Sequence, residues 1–346
     1  MKNKNSIIEV ARLAGVSKST VSRVVSDKGG SVSPKALAAV NAAIKELGYT
    51  RNNFAAALRS SKTNMILLMV PDIANPFWSE VARAVQDHFE GANYSVVVGN
   101  TDWSSEREAA YFELASSGRF DGLIVNSVSD DIYGLRALGV PVVMIGERSE
   151  GLEIDTVGTA TYAAATLALK YLHDMGHRRI AIATSEGGSE RYLSRRYRAY
   201  EDFHRGMGLP LDPELVFSVH LSEGGGPDLV ERLLALDNWR RRVTALFCGN
   251  DILAVAALNA FRAAGVEPGR DISIMGMDDI PASSLTYPAL TTISKPRSAI
   301  GAAAADLLLK RIAEPEGAPE KHLFPGELVI RDSVVEYKEV LHDLTE

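Results

Sequence analysis

Short hydroxyl side chains and cations are concentrated in one stretch near the amino terminus, and their chemistry suits a nucleic acid. The polar positions of this stretch are Ser17, Lys18, Ser19, Thr20, Ser22 and Arg23. Hydroxyl and cationic groups donate hydrogen bonds to phosphate oxygens and to the edges of bases. On the pattern alone, the same residues could also form the solvated face of a small helical domain.

A second set of side chains suits a small polyhydroxylated ligand. Aromatic residues, arginines, an amide and carboxylates follow the apolar runs of the remaining chain: Phe77, Trp78, Arg191, Arg195, Arg196, Arg198, Asn250, Asp251, Asp278 and Asp279. Aromatic faces pack on C–H surfaces, while forked guanidinium donors and carboxylate acceptors fix hydroxyls. Simpler roles stay open: the two aromatics as core packing at a helix start, two of the four arginines as a solvated face, and one of the two final aspartates as a cap.

Patterns that enzymes commonly require are missing from the sequence. The seven histidines are scattered, and no His/Cys cluster has the spacing of a metal site. The GGG run at 224–226 is not followed by the Lys-Ser/Thr pair of a phosphate-binding loop. We therefore expect no catalytic site, no metal and no cofactor.

The first set requires a helix-turn-helix unit to position it. Apolar residues between Ile7 and Ala14 predict a short helix, and Gly15 allows a turn that a Cβ would resist. Ser17 is a suitable N-cap for a second helix. The pair Ser33-Pro34 predicts the start of a third helix, which braces the other two.

Charge is distributed unevenly along the chain. Residues 1–62 contain 11 Lys and Arg against 3 Asp and Glu, whereas the whole chain contains 37 against 44. The remainder, with 26 against 41, is therefore acidic. A basic segment on an acidic chain is typical of a domain that binds phosphate groups, which favours the nucleic-acid interpretation.

The second set requires a larger α/β domain. From Met65 onward, helical patterns alternate with strand-like runs at 65–70, 95–100, 122–127, 141–146, 178–184, 214–219, 244–249 and 271–277. Such alternation predicts parallel sheets covered by helices on both faces. The strands suffice for two sheets, so we expect two similar lobes. Ligands of open α/β sheets lie at the carboxyl ends of strands, which predicts a ligand site in the cleft between the lobes.

Length and composition are typical of a globular cytoplasmic protein. The 346 residues exceed one ordinary domain, and 46% hydrophobic with 23% charged residues is an ordinary balance. Cys248, the one cysteine, lies in an apolar run and predicts a core residue rather than a disulfide. We expect no signal peptide, since the sequence does not open with a charged and then apolar segment, and no membrane span, since no apolar run is long enough.

The basic segment resembles a known family. The runs VARLAGVSKSTVSRVV, VSPKALAAVNAAIKELGY and NNFAAALRSSKT resemble the DNA-binding headpiece of the lactose-repressor (LacI/GalR) family of bacterial transcription regulators. The resemblance continues to about residue 331. It implies that operator bases and phosphates are contacted by Lys18, Ser19, Thr20, Ser22 and Arg23. Leu37 and Arg51 depart from the Arg and Pro common in the family, which puts one backbone contact and the rigidity of the hinge entry in doubt.

Residues 52–63 are similar to the hinge helix of that family. The pattern alone is also compatible with an ordinary helical linker, since so short a helix is marginal in water. The resemblance implies that Leu58 wedges into the minor groove and bends the DNA. It also implies that Asn52, Ala55 and Arg59 lie along the groove.

The resemblance also assigns effector-binding roles. The positions that match the family's effector contacts or its cleft wall are Phe77, Trp78, Thr161, Arg196, Leu221, Asn250 and Asp278. Two departures concern the ligand. Many members have an Asp-Asn pair where Ala160 and Thr161 stand, so an acceptor carboxylate is lost, and Leu221 replaces a stacking aromatic. The effector expected is a sugar or sugar derivative, and the extra arginines could suit an anionic one, such as a sugar phosphate or a sugar acid.

These expectations define the organisation of the chain. Residues 1–51 form the headpiece, 52–63 the hinge, and 64–340 a two-lobed domain of the periplasmic-binding-protein type. The first lobe is expected at about 64–161 plus 295–322, and the second at about 162–294 plus 323–340.

The resemblance predicts a homodimer that binds a pseudo-palindromic double-stranded DNA operator. The end of the chain is too short for a tetramer-forming coiled coil, although a tetramer through other surfaces stays open. Small-molecule binding would control operator affinity, most simply in a repressor. The alternative is a solute-binding protein of the periplasmic sugar-carrier type, which has no DNA function.

Overall fold

The computed structural model describes residues 6–25, 32–49, 62–127, 134–135, 137–147, 153–185 and 190–338, apart from the side chains of 185 and 190–194. The chain divides into two compact units, Met1–Thr63 and Asn64–Glu346. Several positions named above lie outside the described residues: Arg51, Asn52, Ala55, Leu58, Arg59 and the side chain of Arg191.

The first unit contains the three predicted helices, α1 (Ile7–Ala14), α2 (Lys18–Val25) and α3 (Pro34–Leu47). Apolar side chains from all three helices form its core: Val10, Ala11, Val21, Val40 and Ala43. The helix-turn-helix arrangement predicted from the sequence is therefore present.

Capping interactions fix where these helices begin and end. Ser6 and Glu9 form a reciprocal capping box at the start of α1, with the Ser6 amide donating to the Glu9 carboxylate at 2.7 Å. Gly15 ends α1 with a φ of 64°, the left-handed conformation that glycine adopts without a steric penalty. The Ser33 hydroxyl caps α3, and Pro34 occupies the first helical position.

The second unit alternates strands and helices. In chain order they are β1 (Met65–Val70), α4 (Pro76–Glu90), β2 (Ser95–Asn100), α5 (Ser105–Leu114), a π-helical turn (Ala115–Arg119), β3 (Gly122–Val125), β4 (Val142–Ile145), β5 (Asp155–Thr159), α6 (Thr161–Asp174), β6 (Ile180–Ser185), α7 (Glu190–Gly206), a 3-10 turn (Pro213–Leu215), β7 (Val216–Val219), α8 (Gly225–Leu234), α9 (Trp239–Arg242), β8 (Ala245–Cys248), α10 (Asp251–Ala263), β9 (Ser273–Met275), a 3-10 turn (Pro281–Ser284), β10 (Thr292–Ser294), α11 (Arg297–Ala313), β11 (Lys321–Phe324) and β12 (Glu327–Val329).

The strands form two parallel sheets, one for each lobe. The first sheet has the order β11-β5-β4-β3-β1-β2 and the second has the order β7-β6-β8-β9. Strands β10 and β12 form a separate antiparallel ribbon. The eight predicted strands are present as β1 to β4 and β6 to β9, whereas β5, β10, β11 and β12 were not predicted. None of the helices in the described part of the chain is long and apolar enough to cross a membrane.

The chain passes between the lobes three times. Helix α6 packs in the core of the second lobe, whereas α11 packs in the core of the first. Helices α11 and α4 approach so closely that a Cβ at Gly301 would lie 2.7 Å from both Ala84 Cβ and the Val81 carbonyl oxygen. Leu323, near which the family resemblance implied the last crossing, lies inside β11 of the first sheet. The chain therefore leaves the first lobe only after Phe324, because β11 completes the edge of that sheet.

Strand β5 was missed because its sequence, DTVGT, contains residue types that are depleted in strands. Its first residue, Asp155, is buried and accepts hydrogen bonds from Arg311 Nε and Nη2 at 2.6 and 2.9 Å and from the Glu320 amide at 2.8 Å. The Asp155 carboxylate, foremost among the causes, raises the pKa of the Arg311 guanidinium. This bidentate ion pair joins the start of β5 to the end of α11.

The Asp155–Arg311 pair should contribute strongly to stability. Arg311→Met would leave a buried carboxylate without its cation, and we expect it to lower the free energy of unfolding by about 3–5 kcal/mol. Urea unfolding followed by circular dichroism measures this loss. The matched control is Lys310→Met, because Lys310 forms an exposed pair with Glu320 and should cost less than about 1 kcal/mol. Equal losses in the two variants would contradict the assignment.

His177 is a buried titratable group in the second lobe. Its Nε2 lies 3.1 Å from the Val335 carbonyl oxygen, so this nitrogen donates, and Nδ1 lies 3.0 Å from Thr244 Oγ1, from which the neutral ring accepts. Burial is the main cause that lowers the pKa of His177, to about 4, and Arg178 adds to the effect. The folded protein therefore holds this histidine neutral.

The lowered pKa predicts a loss of stability in mild acid. Between the ordinary histidine pKa of about 6.5 and the folded value of about 4, the unfolded chain binds the proton and the folded chain does not, so stability falls as the pH falls. At about 1.4 kcal/mol per pH unit, the loss reaches about 3 kcal/mol. His177→Gln keeps a donor and an acceptor but cannot titrate. As the pH is lowered from about 7 to 4, the free energy of unfolding from urea titrations should fall by about 3 kcal/mol more in the wild type than in the variant, and parallel pH dependences would refute the prediction.

Candidate functional site

The start of α2 presents the hydroxyls and cations of the first set. Lys18, Ser19 and Arg23 are exposed, while Thr20 and Ser22 are half-buried. Their neighbour Val21 is fully buried in the three-helix core, which fixes the rotation of α2 and turns its polar face away from that core.

Ser17 forms the N-cap of α2 as predicted. Its Oγ accepts from the Thr20 amide at 3.1 Å and lies 2.7 Å from Ser19 Oγ and 2.8 Å from Thr20 Oγ1. These hydroxyls therefore form one hydrogen-bonded cluster at the amino-terminal end of the helix. The helix dipole places partial positive charge at this end, next to Lys18, which suits a phosphate or a base acceptor.

A cavity of about 110 Å³ lies between the lobes of the second unit. It is lined by all seven predicted effector-binding residues, namely Phe77, Trp78, Thr161, Arg196, Leu221, Asn250 and Asp278. Further residues line it as well: Asn75, Trp103, Asn126, Ile145, Gly146, Glu147, Gly158, Thr159, Arg195, Lys295 and Ile300. Most of them lie at the carboxyl end of a strand or at the helix start that follows it, the position expected for a ligand site.

Phe77 and Trp78 form an aromatic wall and also belong to the core of the first lobe. Their ring centroids are 4.9 Å apart with perpendicular planes, a favourable edge-to-face geometry. Asn75 caps the start of α4 by accepting from the Phe77 amide at 2.9 Å, which fixes where both rings enter the cavity. The sequence left core packing and ligand binding as alternative roles for these two aromatics. In the structure both residues pack in the core and also line the cavity.

On the opposite side, Asn250 joins two strand ends of the second lobe. Its Oδ1 accepts from the Leu253 amide at 3.0 Å, and its Nδ2 donates to the Leu221 carbonyl at 2.9 Å. One N–H of the amide stays available for a ligand, because Nδ2 carries two.

Asp278 and Lys295 form a buried ion pair at the edge of the cavity. Lys295 Nζ donates to Asp278 Oδ1 at 2.7 Å, and the ammonium lies 5.1 Å from the centroid of the Phe77 ring. Burial is the main cause that lowers the pKa of Lys295, although Asp278 opposes it. The neighbouring Asp279 instead pairs with Arg331 at 2.7 Å and is not among the lining residues.

Arg297, the first residue of α11, connects the lobes beside this pair. Its Nε donates to Glu80 of the first lobe at 2.6 Å, and its Nη1 donates to the backbone carbonyls of Asp278 and Asp279 at 2.5 and 2.7 Å. The turn that carries the Asp278 carboxylate is thereby held by both lobes.

Glu147 supplies a carboxylate that the sequence interpretation missed. Its Oε2 accepts from the Tyr162 amide in the first turn of α6 at 3.0 Å, and its Oε1 lies 3.7 Å from Arg195 Nη1. The acceptor carboxylate that the family commonly has where Ala160 stands is absent, and Glu147 places a different carboxylate in the cavity wall. The Thr161 hydroxyl donates to the Thr159 carbonyl at 3.2 Å.

Asp251, the first residue of α10, is fully buried and has a structural role. It accepts from Ser283 Oγ and Thr292 Oγ1, both at 2.6 Å, and from the Ile280 amide at 3.1 Å. Burial is the main cause that raises its pKa to about 6. These bonds hold the loops that follow β9 and lead into β10.

The Thr159 hydroxyl is buried in the cavity wall without a hydrogen-bond partner in the structure. A buried hydroxyl without a partner carries a desolvation cost. This group is therefore suited to a hydroxyl or carboxylate of a ligand.

Some cavity-lining residues that the sequence interpretation missed could have been predicted from their positions after strands. Trp103, Asn126 and Glu147 follow β2, β3 and β4, so the strand-end rule applied to the other strands would have included them. Lys295 and Thr159 depended on strands that were not predicted. Arg195 was named among the four arginines, and it lines the cavity with Arg196, whereas Arg198 is exposed.

Comparison with known proteins identifies the class of protein to which this chain belongs. Residues 6–52 match the family described as bacterial regulatory proteins, lacI family, and residues 169–334 match the periplasmic binding protein-like domain. The HTH-type transcriptional regulator DegA of Bacillus subtilis (strain 168) is 31% identical over 336 residues, which cover 95% of this chain and 98% of that protein. The ribose operon repressor of Escherichia coli (strain K12) is 34% identical, with 89% and 93% covered.

A solved structure of the lac repressor dimer, bound to operator and the anti-inducer ONPF, matches with a TM-score of 0.82 and 25% identity, covering 96% of this chain and 100% of that one. A helix-turn-helix unit followed by a two-lobed periplasmic-binding-like domain defines a DNA-binding transcription regulator, not an enzyme. The chain belongs to the lacI family of bacterial regulatory proteins, which confirms the predicted family and fold class.

The hydroxyl of Thr159, which has no hydrogen-bond partner in the structure, leads to a prediction about stability that can be tested without a ligand. Thr159→Val keeps the side-chain shape, and removing a buried hydroxyl without a partner should leave the free energy of unfolding unchanged or raise it by up to about 1 kcal/mol. The matched control on the same strand is Thr156→Val, because the Thr156 hydroxyl donates to the Ile154 carbonyl at 3.0 Å and its loss should cost about 1 kcal/mol. Urea unfolding measures the free energy of unfolding of both variants. A larger loss for Thr159→Val than for Thr156→Val would contradict the assignment of Thr159 as a hydroxyl without a partner.

Proposed function

We propose that this chain is a cytoplasmic transcriptional repressor. In this proposal it binds a pseudo-palindromic operator as a homodimer, and a sugar or sugar derivative in the interlobe cavity controls its operator affinity. The observation that carries the effector role is that the seven side chains that match the family's effector contacts or cleft wall all line one cavity.

In the headpiece, α2 is the proposed recognition helix. Lys18 and Ser19 at its amino-terminal end read base edges in the major groove, with Thr20, Ser22 and Arg23 in support. The exposure of Lys18, Ser19 and Arg23 in the described headpiece supports these roles. The minor-groove roles of Asn52, Ala55, Leu58 and Arg59 rest on sequence resemblance.

The cavity suits a ligand that contacts both lobes. Phe77, Trp78 and Thr159 come from the first lobe, whereas Arg196 and Asn250 come from the second. A ligand that bridges them favours one angle between the lobes, since it binds one arrangement better than another. A coupling free energy of about 1–3 kcal/mol suffices for allosteric control of operator affinity.

A homodimer is supported by an exposed apolar loop in the second unit. Leu285 and Tyr287 are 83% and 81% exposed in the isolated chain. Large apolar side chains that cluster on a surface commonly mark a protein interface. A two-fold dimer would present two recognition helices to two half-sites.

The DNA-binding role is tested by salt dependence with full-length protein and a mixed-sequence duplex. The logarithm of the binding constant should fall steeply with the logarithm of salt concentration, with a slope of roughly one per phosphate neutralised. Arg23→Ala should reduce that slope by about 1 for each headpiece bound. Arg83→Ala is the control, because Arg83 forms an exposed pair with Asp87 in the second unit. A flat slope, or equal effects of the two variants, would rule out the proposal.

A further inference from the structure

Trp103 lies at the wall of the interlobe cavity in an unusual backbone conformation. It follows β2, lines the cavity and has a φ of 58°, while the preceding Asp102 has a φ of 48°. Both values lie in the left-handed region, which aspartate visits more readily than most residues but which is strained for a bulky side chain. Strain of this kind is commonly found where a residue serves a ligand.

Core packing does not account for the position of this ring. Phe77 and Trp78 line the same cavity, but they also belong to the hydrophobic core of the first lobe. Trp103 is only half-buried and belongs to none of the hydrophobic clusters that the described residues form. A large aromatic side chain that lies outside the core and lines a cavity is a candidate for contact with a ligand there.

Hydrogen bonds on both sides of Trp103 hold the turn that carries it. The Asp102 carboxylate accepts from the side chains of Asn100 and Arg107. The Ser104 hydroxyl caps α5 by accepting from the Arg107 amide at 3.2 Å. These bonds keep the backbone of Trp103 in place before a ligand arrives, which lowers the entropy cost of binding.

The two lobes contribute different kinds of side chains to the cavity. Among its described lining residues the aromatic rings are Phe77, Trp78 and Trp103, and all three come from the first lobe. The second lobe contributes Asn250, Asp278 and other polar groups. A ligand therefore meets aromatic surface on one side and hydrogen-bonding groups on the other. A sugar ring matches both sides, through its C–H face and its hydroxyls.

The geometry of the cavity favours a puckered ligand ring over a flat one. The ring planes of Phe77 and Trp78 are perpendicular, so a flat nucleobase can stack on only one of them. A pyranose carries C–H bonds on both faces and at its edge, so it can pack on rings of different orientation. The cavity volume of about 110 Å³ holds roughly seven to eleven water molecules at about 10–15 Å³ each, which suits a monosaccharide better than a disaccharide.

We propose that Trp103 is an effector-binding residue whose indole packs on the C–H face of a monosaccharide in its pyranose form. This inference rests on the proposed effector function of the cavity. It predicts that the indole stabilises the complex, while its backbone conformation destabilises the free protein. The two contributions can be separated, because glycine relieves the strain of a left-handed residue and alanine does not.

Binding is tested by calorimetric titration of the full-length protein with single compounds. The monosaccharides are D-glucose, D-galactose, D-mannose, D-xylose, D-ribose, D-glucuronate and D-galacturonate, while cellobiose, adenine and guanine serve as larger or flat comparators. We expect one of the monosaccharides to bind at least tenfold more tightly than any comparator. Tighter binding of a comparator, or no binding of any monosaccharide at millimolar concentration, would overturn the proposal.

Trp103→Ala should weaken binding of that monosaccharide by roughly 10- to 100-fold, the usual effect of truncating a tryptophan that packs on a partner. Trp103→Phe should weaken it by less than about tenfold, because an aromatic face remains. The matched control is Trp239→Phe, because Trp239 packs in the core of the second lobe and does not line the cavity. The control variant should bind the monosaccharide as the wild type does.

Trp103→Gly distinguishes a ligand contact from a purely structural role. It should bind the monosaccharide as weakly as Trp103→Ala does but melt at a higher temperature than that variant, since glycine adopts the left-handed conformation freely. If Trp103→Ala does not fold, Trp103→Gly and Trp103→Phe decide the question. A monosaccharide that binds wild type and Trp103→Ala equally would reject this inference and keep the effector function of the cavity. Absence of any ligand, together with a steep salt dependence of DNA binding, would reject both and keep the DNA-binding role.

Discussion

Parallel strands present all their carboxyl ends at one edge of a sheet, and the candidate ligand site depends on this constraint. In this protein two such edges face each other across a cavity, so side chains distant in sequence become neighbours. Phe77 follows β1, Asn250 follows β8 and Asp278 follows β9. The helices that begin at these edges add capped starts, as at Asn75 and Asn250, so the same residues end strands, begin helices and line the cavity.

The chain crosses between the lobes three times, so the candidate ligand cavity lies where the two lobes are connected. Lys295 and Arg297 lie where the chain passes from β10 to α11, and both contact Asp278 or its turn. Arg297 also reaches Glu80 of the first lobe. A ligand that alters the charge around Asp278 therefore acts on the groups that connect the lobes. Such a direct physical link is a suitable basis for allosteric coupling.

Buried ion pairs serve two different purposes in the second unit. Asp155 and Arg311 are joined by two hydrogen bonds between their side chains, and they fix β5 against α11 away from the cavity. Asp278 and Lys295 share one hydrogen bond at the cavity wall, which leaves donors for a ligand. The first arrangement is typical of a structural pair, while the second is suited to binding, because an incompletely satisfied buried charge gains more from a ligand.

The sequence by itself determined the three helices of the headpiece, eight strands, and the residue types of both candidate sites. Local sequence signals were strong in these elements. Gly15 and Ser17 lie at the two ends of the turn between α1 and α2, and continuous apolar runs indicated buried strands. Tertiary structure decided the rest. Strand β5 lies between β4 and β11, and Arg311, more than 150 residues away in sequence, neutralises its buried Asp155. Glu147 and Lys295 join the cavity because sheet order brings β4 and the crossing after β10 to it. No local pattern encodes such contacts, since they depend on which strands become neighbours when the chain folds.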